Sequence, residues 1–518
     1  RWHEIIYVLL TKPKRDPTFV ANLREIALAE HDVKLLLQVI RRTCYAQLLG
    51  RVCKEQGGWL PGAGCSLEGV ASGMVAQQAR QLKRPLYFLF LDLSQFFPRV
   101  DKECLTIAEL AHGLPDDVLR LTLAIYGAAS DDPRTTRCRY DFAGGMSDAF
   151  VNQHGLLMGC PLSTDRARIF LDSAVLAIRA VAKGVRLWGA AGGDEWRRIA
   201  QLLCADDWCG CFESATELRK AWAIWRCWAP MTGAKVGIDA ADKTVLFGVR
   251  YDSNGRKSMA ANPKLTTADG RAVPMRRFDE AYKHLGRWRC VDGSQVKARA
   301  AFGAAVRRAV RRLNRLKRAT RYQFMLVSEA ILAGLAGFYC QDMYLTFAEA
   351  DALEASWRRA LNRVARRARD TPRAELYAGG EVRDGTRRHL YAHCLTAIYT
   401  GVSSAMADVE DTEHRAAARA CIALSMHTWG CRSDPRTWQF QHLEDALERS
   451  LRDKEVRHVG DAWMLAAIVA ARSTPECRSA DEQEAEDLRT SEAQAEWWRW
   501  EEQPADGDPL CPQAAHFG

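Results

Sequence analysis

Leu202-Leu203-Cys204-Ala205-Asp206-Asp207-Trp208-Cys209 sets two adjacent carboxylates inside an otherwise apolar run. Taking an aspartate pair out of water costs several kcal/mol unless something cationic compensates. Aspartate is also a poor strand former. The flanks, Leu202-Leu203-Cys204-Ala205 before and Trp208-Cys209-Gly210-Cys211-Phe212 after, read as two short strands. The pair then falls at the tip of a β-hairpin, where it can hold a divalent cation. A bare Asp-Asp is more often an ordinary acidic turn, and the rest of the chain has to overturn that reading.

Its counterpart is Leu86-Tyr87-Phe88-Leu89-Phe90-Leu91-Asp92, a continuous apolar run ending in a carboxylate. Such a run fits a strand buried on both faces, and Asp92 emerges at its end. Asp92 and the Asp206-Asp207 pair are the only carboxylates that terminate long apolar strand-like runs. On adjacent strands of one sheet the three converge. Carboxylates without nearby histidines suit two Mg2+ ions, with Mn2+ as the alternative. Two such ions clamp the attacking and leaving oxygens of an in-line phosphoryl displacement. Mg2+ prefers carboxylates, substrate phosphates and water to an all-protein cage. Phosphoryl transfer asks mainly for positioning and charge neutralisation. Lys12, Lys14 and Arg24, upstream of the first carboxylate, can supply cationic contacts to a triphosphate.

Around these two stretches the pattern alternates. Ile5-Ile6-Tyr7-Val8-Leu9-Leu10 is a strand by length and β-branching. Helical spacing runs from Val33 to Val52, breaks at Gln56-Gly57-Gly58-Trp59-Leu60-Pro61-Gly62, and resumes to about Leu82. Helices dominate from the end of the Asp92 run to about Tyr126, followed by a polar, strand-prone section. His154 to Thr164 is a tight loop rich in Gly and Pro, and a helix is expected from about Thr164 to Lys183. Another helix is expected near 215–230, then Lys243-Thr244-Val245-Leu246-Phe247, then a short strand pair around Tyr282–Trp288. Residues 297–321 hold ten cations (Lys297, Arg299, Arg307, Arg308, Arg311, Arg312, Arg315, Lys317, Arg318, Arg321) and no acid. Their spacings of one, three and four place Arg307, Arg308, Arg311, Arg312, Arg315 and Arg318 along one helix. A basic stripe is usually a solvated face, but 25 residues without an acid favour contact with nucleic acid phosphates.

The 518 residues, 48% of them hydrophobic, allow a large core and several domains. A net charge of +9 leans only mildly toward nucleic acid. Seventeen dispersed cysteines, with no zinc-type spacing, read as reduced intracellular thiols and not as a disulfide framework. Cys209 and Cys211 read as buried apolar thiols. No run reaches transmembrane length, so no membrane partner is expected. A first residue of Arg1 suggests a piece of a longer polypeptide. The stretch from Ser473 is acidic and weakly patterned, apart from Trp497, Trp498 and Trp500.

The order of these pieces resembles the reverse transcriptase domain of non-LTR (LINE-like) retrotransposons, and more distantly the group II intron enzymes. Lys12 and Arg24 match the basic residues around that family's Arg-Pro-Ile segment, which contact the incoming triphosphate. Gln56-Gly57-Gly58-Trp59 is similar to its Gln-x-Gly-Phe segment. Leu91-Asp92-Leu93-Ser94-Gln95-Phe96-Phe97 resembles the first catalytic motif, in which the Asp binds metal and the aromatic, here Phe97, gates the sugar. Gly155 to Ser163, with Gly159, resembles the template-and-nucleotide loop. Cys204-Ala205-Asp206-Asp207 matches the Tyr/Phe-Ala-Asp-Asp box. Lys243 matches a lysine thought to protonate pyrophosphate, and Tyr282-Lys283-His284-Leu285-Gly286 the primer grip.

The resemblance implies an α/β right-hand polymerase with a helical C-terminal region. Fingers would come from 1–85 and 105–165, the palm from 86–104 and 166–289, a helical thumb from 290–400, a further helical region from 401–472, and a weakly ordered tail from 473–518. It implies RNA-directed DNA synthesis with an RNA template, a DNA or RNA primer, dNTPs and two Mg2+ ions, in an intracellular, nuclear setting. Several positions depart from the family pattern. Cys204 replaces an aromatic, Met158 a Gln, and Glu25 a Pro; Thr164 replaces another Pro, and Pro98 stands where Asp is common. Two other readings stay open: an RNA-dependent RNA polymerase, and a decayed or co-opted element that binds nucleic acid without catalysis.

Overall fold

The computed structural model describes residues 4–428 except 13–15, 20–21, 60–64, 127–135, 143, 189–196, 239–243, 253, 255–257, 317–319, 344, 346, 365–389, 391–392, 395, 399 and 402–412. Lys14, Lys243, Arg318 and the acidic tail therefore lie outside the described residues. The fold is mixed α/β. Its strands are β1 (Glu4–Thr11), β2 (Leu23–Ala29), β3 (Leu86–Leu91), β4 (Arg137–Phe142), β5 (Gly145–Met146), β6 (Phe150–Val151), β7 (Val185–Arg186), β8 (Arg198–Ile199), β9 (Gln201–Cys204), β10 (Asp207–Phe212), β11 (Val245–Tyr251), β12 (Ser258–Ala260), β13 (Tyr282–His284) and β14 (Arg287–Arg289). Its helices are α1 (His31–Ile40), α2 (Ala46–Leu49), α3 (Cys65–Gln81), α4 (Phe96–Arg99), α5 (Lys102–Ala111), α6 (Asp116–Tyr126), α7 (Ser163–Val181), α8 (Ala215–Met231), α9 (Val296–Leu313), α10 (Arg321–Tyr339), α11 (Phe347–Val364) and one over Glu413–Thr428. The chain divides into two compact units. The first holds residues 1–65, 85–185 and 198–277, and the second holds 66–84, 186–197 and 278–518.

In the first unit the sheet that carries the aspartates runs β12-β11-β3-β10-β9, all neighbours antiparallel. All six residues of β3 are buried, which is why its sequence shows no alternation. Tyr87, Leu89 and Leu91 join a core with Trp208, Phe212, Trp222 and Trp225, on the side where α8 packs. On the alternate positions Phe88 stacks on Phe90, and Phe90 meets Phe247 edge-on with centroids 6.0 Å apart. A second sheet, β2-β1-β4-β5 with β6 on β4, contains the β1–β2 hairpin.

In the second unit α9, α10 and α11 enclose Phe302, Val306, Val310, Phe324, Leu332 and Trp357. The basic stripe does not form one helix. α9 stops at Leu313, Arg315 and Leu316 close onto Arg312 O and Leu313 O in tight turns, and Arg315 therefore lies beyond the helix. A new helix opens at Thr320, whose hydroxyl accepts from Gln323 N–H while Gln323 returns the bond, a capping box. Arg307, Arg308, Arg311 and Arg312 remain exposed on α9, opposite its buried apolar positions. Among the described residues no helix is long and apolar enough to cross a membrane.

Candidate active site

Cys204 pairs directly with Asp207, so Ala205 and Asp206 are the two residues of the turn. Ala205 has φ +61°, the left-handed value that the primed two-residue turns need at their first central position. β10 then runs beside β3, with Trp208 opposite Leu91. Asp92 and Asp207 are the next residues beyond that last pair of the ladder. The fold thus brings Asp92 and Asp207 to one edge, with Asp206 next to them on the turn.

The turn is held from outside its own sheet. Gln56, 2% exposed, donates from Nε2 to Ala205 O at 3.0 Å. Its Oε1 accepts from Ala205 N–H and Gly58 N–H, each at 3.0 Å. Gly57 N–H donates to Leu203 O, and Leu203 N–H to Glu55 O, both at 2.9 Å. A Cβ on Gly58 would stand 2.1 Å from Ala205 N, so only glycine admits this approach. Arg179 on α7 pairs with Glu55, and that hydrogen bond raises the guanidinium's pKa. Residues 55–58 and the aspartate turn therefore form one hydrogen-bonded body. The sequence flags this segment by a doubled glycine after a Gln, but nothing local names its partner.

Asp92 is fixed from its other side. Its N–H donates to the buried Thr244 hydroxyl at 3.3 Å, and its carbonyl accepts from Gly237 N–H at 2.8 Å. A Cβ on Gly237 would stand 2.9 Å from Asp92 Oδ2 and 2.7 Å from Ser94 Oγ, so the missing side chain leaves space beside the carboxylate. Neither Gly237 nor Thr244 stands out from sequence pattern alone.

Phe97 lies on α4, directly after the Asp92 strand. Its half-buried ring meets Trp59 edge-on at 5.7 Å and Phe96 at 5.8 Å. The glycine loop docks on this turn: Leu156 N–H donates to Phe97 O at 2.7 Å and Gly155 N–H to Val100 O at 2.9 Å. Gly155 has φ +82°, and a Cβ there would meet Pro98 at 2.7 Å. Farther along, Met158 O accepts from Ala27 N–H at 2.7 Å, which joins exposed Gly159 to β2. β2 also carries exposed Arg24, opposite Leu10, and Lys12 N–H donates to Asn22 O at 2.8 Å at the loop end of that hairpin. Arg24, Gly159, Phe97 and the aspartates thus belong to one continuous hydrogen-bonded framework.

Buried ion pairs set α7 in place beneath. Arg166 forms a two-pronged bond to Glu109 at 2.6 and 2.9 Å, with Tyr45 donating to the same carboxylate at 2.7 Å. Burial alone would push Arg166 down, and Glu109 outweighs it. Removing one partner of such a pair costs about 3–5 kcal/mol. His112 Nε2 lies 2.9 Å from Asp172, and that hydrogen bond raises the imidazole pKa. Lys102 donates to Tyr126 O and Asn152 O, and burial lowers its pKa to about 8.

Leu285 and Gly286 belong to the second unit. They form the β13–β14 turn with φ +49° and +81°, the pair of left-handed residues of a type I′ turn. The side chains of Arg307, Arg308, Arg311, Arg312 and Arg315 are exposed in the same unit and form no ion pair among the described residues. Cys209 and Cys211 are fully buried, and burial pushes the Cys209 thiol well up.

Among the described residues no three His, Cys, Asp or Glu side chains stand together as a ready-made metal cage. Mg2+ does not require one, because one or two carboxylates plus substrate phosphates suffice. Asp92 and Asp207, next in sequence to the paired Leu91 and Trp208, offer only oxygen donors and fit that ion in kind.

No known protein-family profile matches the sequence. Among solved structures the chain is similar to telomerases. Apo telomerase from Candida tropicalis matches with TM-score 0.35 and 11% identity, over 90% of this chain and 69% of that one. Telomerase from Candida albicans in complex with a TWJ fragment of telomeric RNA matches with TM-score 0.36 and 9% identity, over 83% and 62%. Candida tropicalis apo telomerase truncated from its C-terminal domain gives 0.32 and 13%, over 50% and 55%. The chain spans 62% and 55% of the lengths of the last two, respectively. At these TM-scores the likenesses carry no argument about fold or activity.

Proposed function

We propose that the chain is an RNA-directed DNA polymerase of the non-LTR retroelement kind, which extends a 3′-hydroxyl primer by nucleotidyl transfer. One observation carries the reading: Leu91, just before Asp92, pairs with Trp208, just after Asp207, across β3 and β10, and Asp206 sits on a turn held by Gln56. In this reading the first catalytic motif and the Asp-Asp box are palm elements, the β1–β2 hairpin and residues 55–59 are fingers, and α9–α11 build the thumb.

Asp92, Asp206 and Asp207 would hold two Mg2+ ions, which supply charge neutralisation and an activated 3′-oxygen when bound. The chain's own work is positioning. β3 and β10 fix where the carboxylates point, and Gln56 and Thr244 keep them there. Arg24 and Lys12 offer cationic contacts to the triphosphate from the β1–β2 hairpin. Lys243, next to Thr244 in sequence, is the proposed proton donor to pyrophosphate. Phe97, backed by Trp59, limits room at the 2′ position of the incoming sugar. Leu285 and Gly286 would touch the primer strand, and Arg307, Arg308, Arg311, Arg312, Arg315 and Arg318 the template–primer phosphates.

The test is primer extension on an RNA template with Mg2+ and dNTPs. Extension by the wild type, lost in Asp206→Asn with primer–template binding retained, supports the reading. Asp206→Asn extending at the wild-type rate sinks the metal assignment. Nucleic-acid binding without extension by the wild type turns the answer to the non-catalytic alternative, which the Met158 and Cys204 departures favour.

A further inference from the structure

Trp59 has φ +61°, a left-handed backbone that a bulky residue adopts only where its surroundings impose it. The imposing contacts are those that hold the aspartate turn. Gly57 N–H donates to Leu203 O at 2.9 Å, and Gly58 N–H to Gln56 Oε1 at 3.0 Å. A Cβ on Gly58 would stand 2.1 Å from Ala205 N. With those two residues pressed onto the turn, the chain leaves it through a left-handed residue. Glycine would take that conformation without strain. The chain carries its largest kind of side chain there instead, which points to a use for the ring.

The ring meets Phe97. The two stand edge to face, with centroids 5.7 Å apart and planes at 88°, a geometry in which aromatic pairs attract beyond simple burial. Phe97 has a firm neighbour on its own helix. Phe96 is 3% exposed, meets Phe97 at 5.8 Å and leans on Phe170 of α7 at 6.1 Å. The Phe97 carbonyl accepts from Leu156 N–H at 2.7 Å, so the glycine loop fixes its backbone. Its ring stays half-buried. A side chain on a fixed backbone still hops between rotamers unless a neighbour selects one. Trp59 supplies the other ring contact of Phe97 among the described residues. One residue is thus tied through its backbone to the aspartate turn and through its ring to Phe97.

We propose that Trp59 sets the stringency of sugar selection: it holds the Phe97 ring in the rotamer that excludes a 2′-hydroxyl, and touches no substrate itself. This rests on the polymerase reading, in which Phe97 limits room at the incoming sugar. Trp59 is then a positioning residue for specificity, and its strained backbone is what delivers the indole to Phe97.

The experiment measures single-nucleotide extension by the full chain on one RNA template and primer, with a dNTP and with the matching NTP. The readout is the ratio of the two kcat/KM values, taken beside Tm. Trp59→Asn is the first variant, because Asn tolerates the left-handed backbone and removes the ring. Trp59→Leu stands in should that protein fail to fold. Either should lower the dNTP-to-NTP ratio by roughly threefold to tenfold, as much as one aromatic contact contributes. Trp59→Phe keeps a ring and should retain most of the ratio. Trp59→Asn added to Phe97→Val should discriminate no worse than Phe97→Val alone, since a residue that acts through another is not additive with it. A merely structural tryptophan would lower Tm and slow both nucleotides together, with the ratio unchanged. That result overturns the proposal and leaves the polymerase reading standing. Fully additive losses overturn it as well, because Trp59 would then meet the nucleotide directly. A wild type that extends with neither nucleotide fails the polymerase reading, and the proposal with it.

Discussion

Replacing Gln56 by Met keeps the side chain's length and removes its polar end. Three hydrogen bonds vanish: two to the Ala205 backbone and one from Gly58 N–H. Each orphaned backbone group costs about 1–3 kcal/mol when it stays buried, so the loss is at least about 3 kcal/mol. In a domain of 150–250 residues that corresponds to a fall in Tm of roughly 6–12 °C. Ala205 makes the consequence local. A non-glycine residue in the left-handed region costs about 1–2 kcal/mol, and Gln56 bonds both polar groups of its backbone. Without that hold the turn relaxes and Asp206 moves. A displacement near 1 Å at a reacting centre costs about a hundredfold in rate. Gln56→Met should therefore extend primers about a hundredfold more slowly, with primer–template Kd unchanged. Gly58→Ala should do the same by collision with Ala205 N. Melting by calorimetry and single-turnover extension decide the matter. A Gln56→Met protein with both wild-type Tm and wild-type rate refutes the clamp.

Neutralising Arg308, Arg311 and Arg312 on α9 should weaken binding to all nucleic acid sequences alike and flatten the salt slope of log K by roughly 2.1–2.7, at 0.7–0.9 per phosphate contact; an unchanged slope makes that face merely solvated. Phe97→Val should lower discrimination of dNTPs over NTPs by roughly tenfold to a hundredfold, the equivalent of ~1–3 kcal/mol of crowding. An unchanged ratio in a folded protein moves the RNA polymerase alternative up. The His112 pKa is raised above 6.5 by Asp172, so the stability of that pair is fully present below pH 6.5 and is lost as pH rises through the folded value. Tm should decline across that window, and His112→Gln should flatten the decline. Ala205→Gly should stabilise the turn by about 1 kcal/mol, read as a raised Tm.

The strands were legible because burial writes itself into local sequence. β3 is apolar throughout since both its faces are covered, and the Asp206 turn interrupts two apolar flanks. The helices around them show their spacing, and the β13–β14 turn shows its Leu-Gly. What stayed hidden is contact between distant segments. Arg166 and Glu109 are 57 residues apart on helices whose charges look like surface, yet both are buried. Gln56 reads as a loop residue until its partner, 149 residues on, is seen. The break after Leu313 was missed for another reason: the basic run continues through it, and only Thr320-x-x-Gln323 marks a new start. Lys243 and Arg318 fall outside the described residues.

The bond between Gln56 and Ala205 also imposes an order on synthesis. The 149 residues that separate the two take roughly 7–30 s to emerge at 5–20 residues per second. Throughout that interval the Gln-Gly-Gly segment has no strand to grip and must stay wet. The aspartate hairpin, once made, can close locally in microseconds, but its left-handed turn is held only when the waiting segment docks. The aspartate turn thus becomes rigid only after a segment made 149 residues earlier has docked on it. A nascent chain cut short of Ala205 would carry Asp92, the glycine loop and the β1–β2 hairpin, and still lack the turn that Gln56 grips.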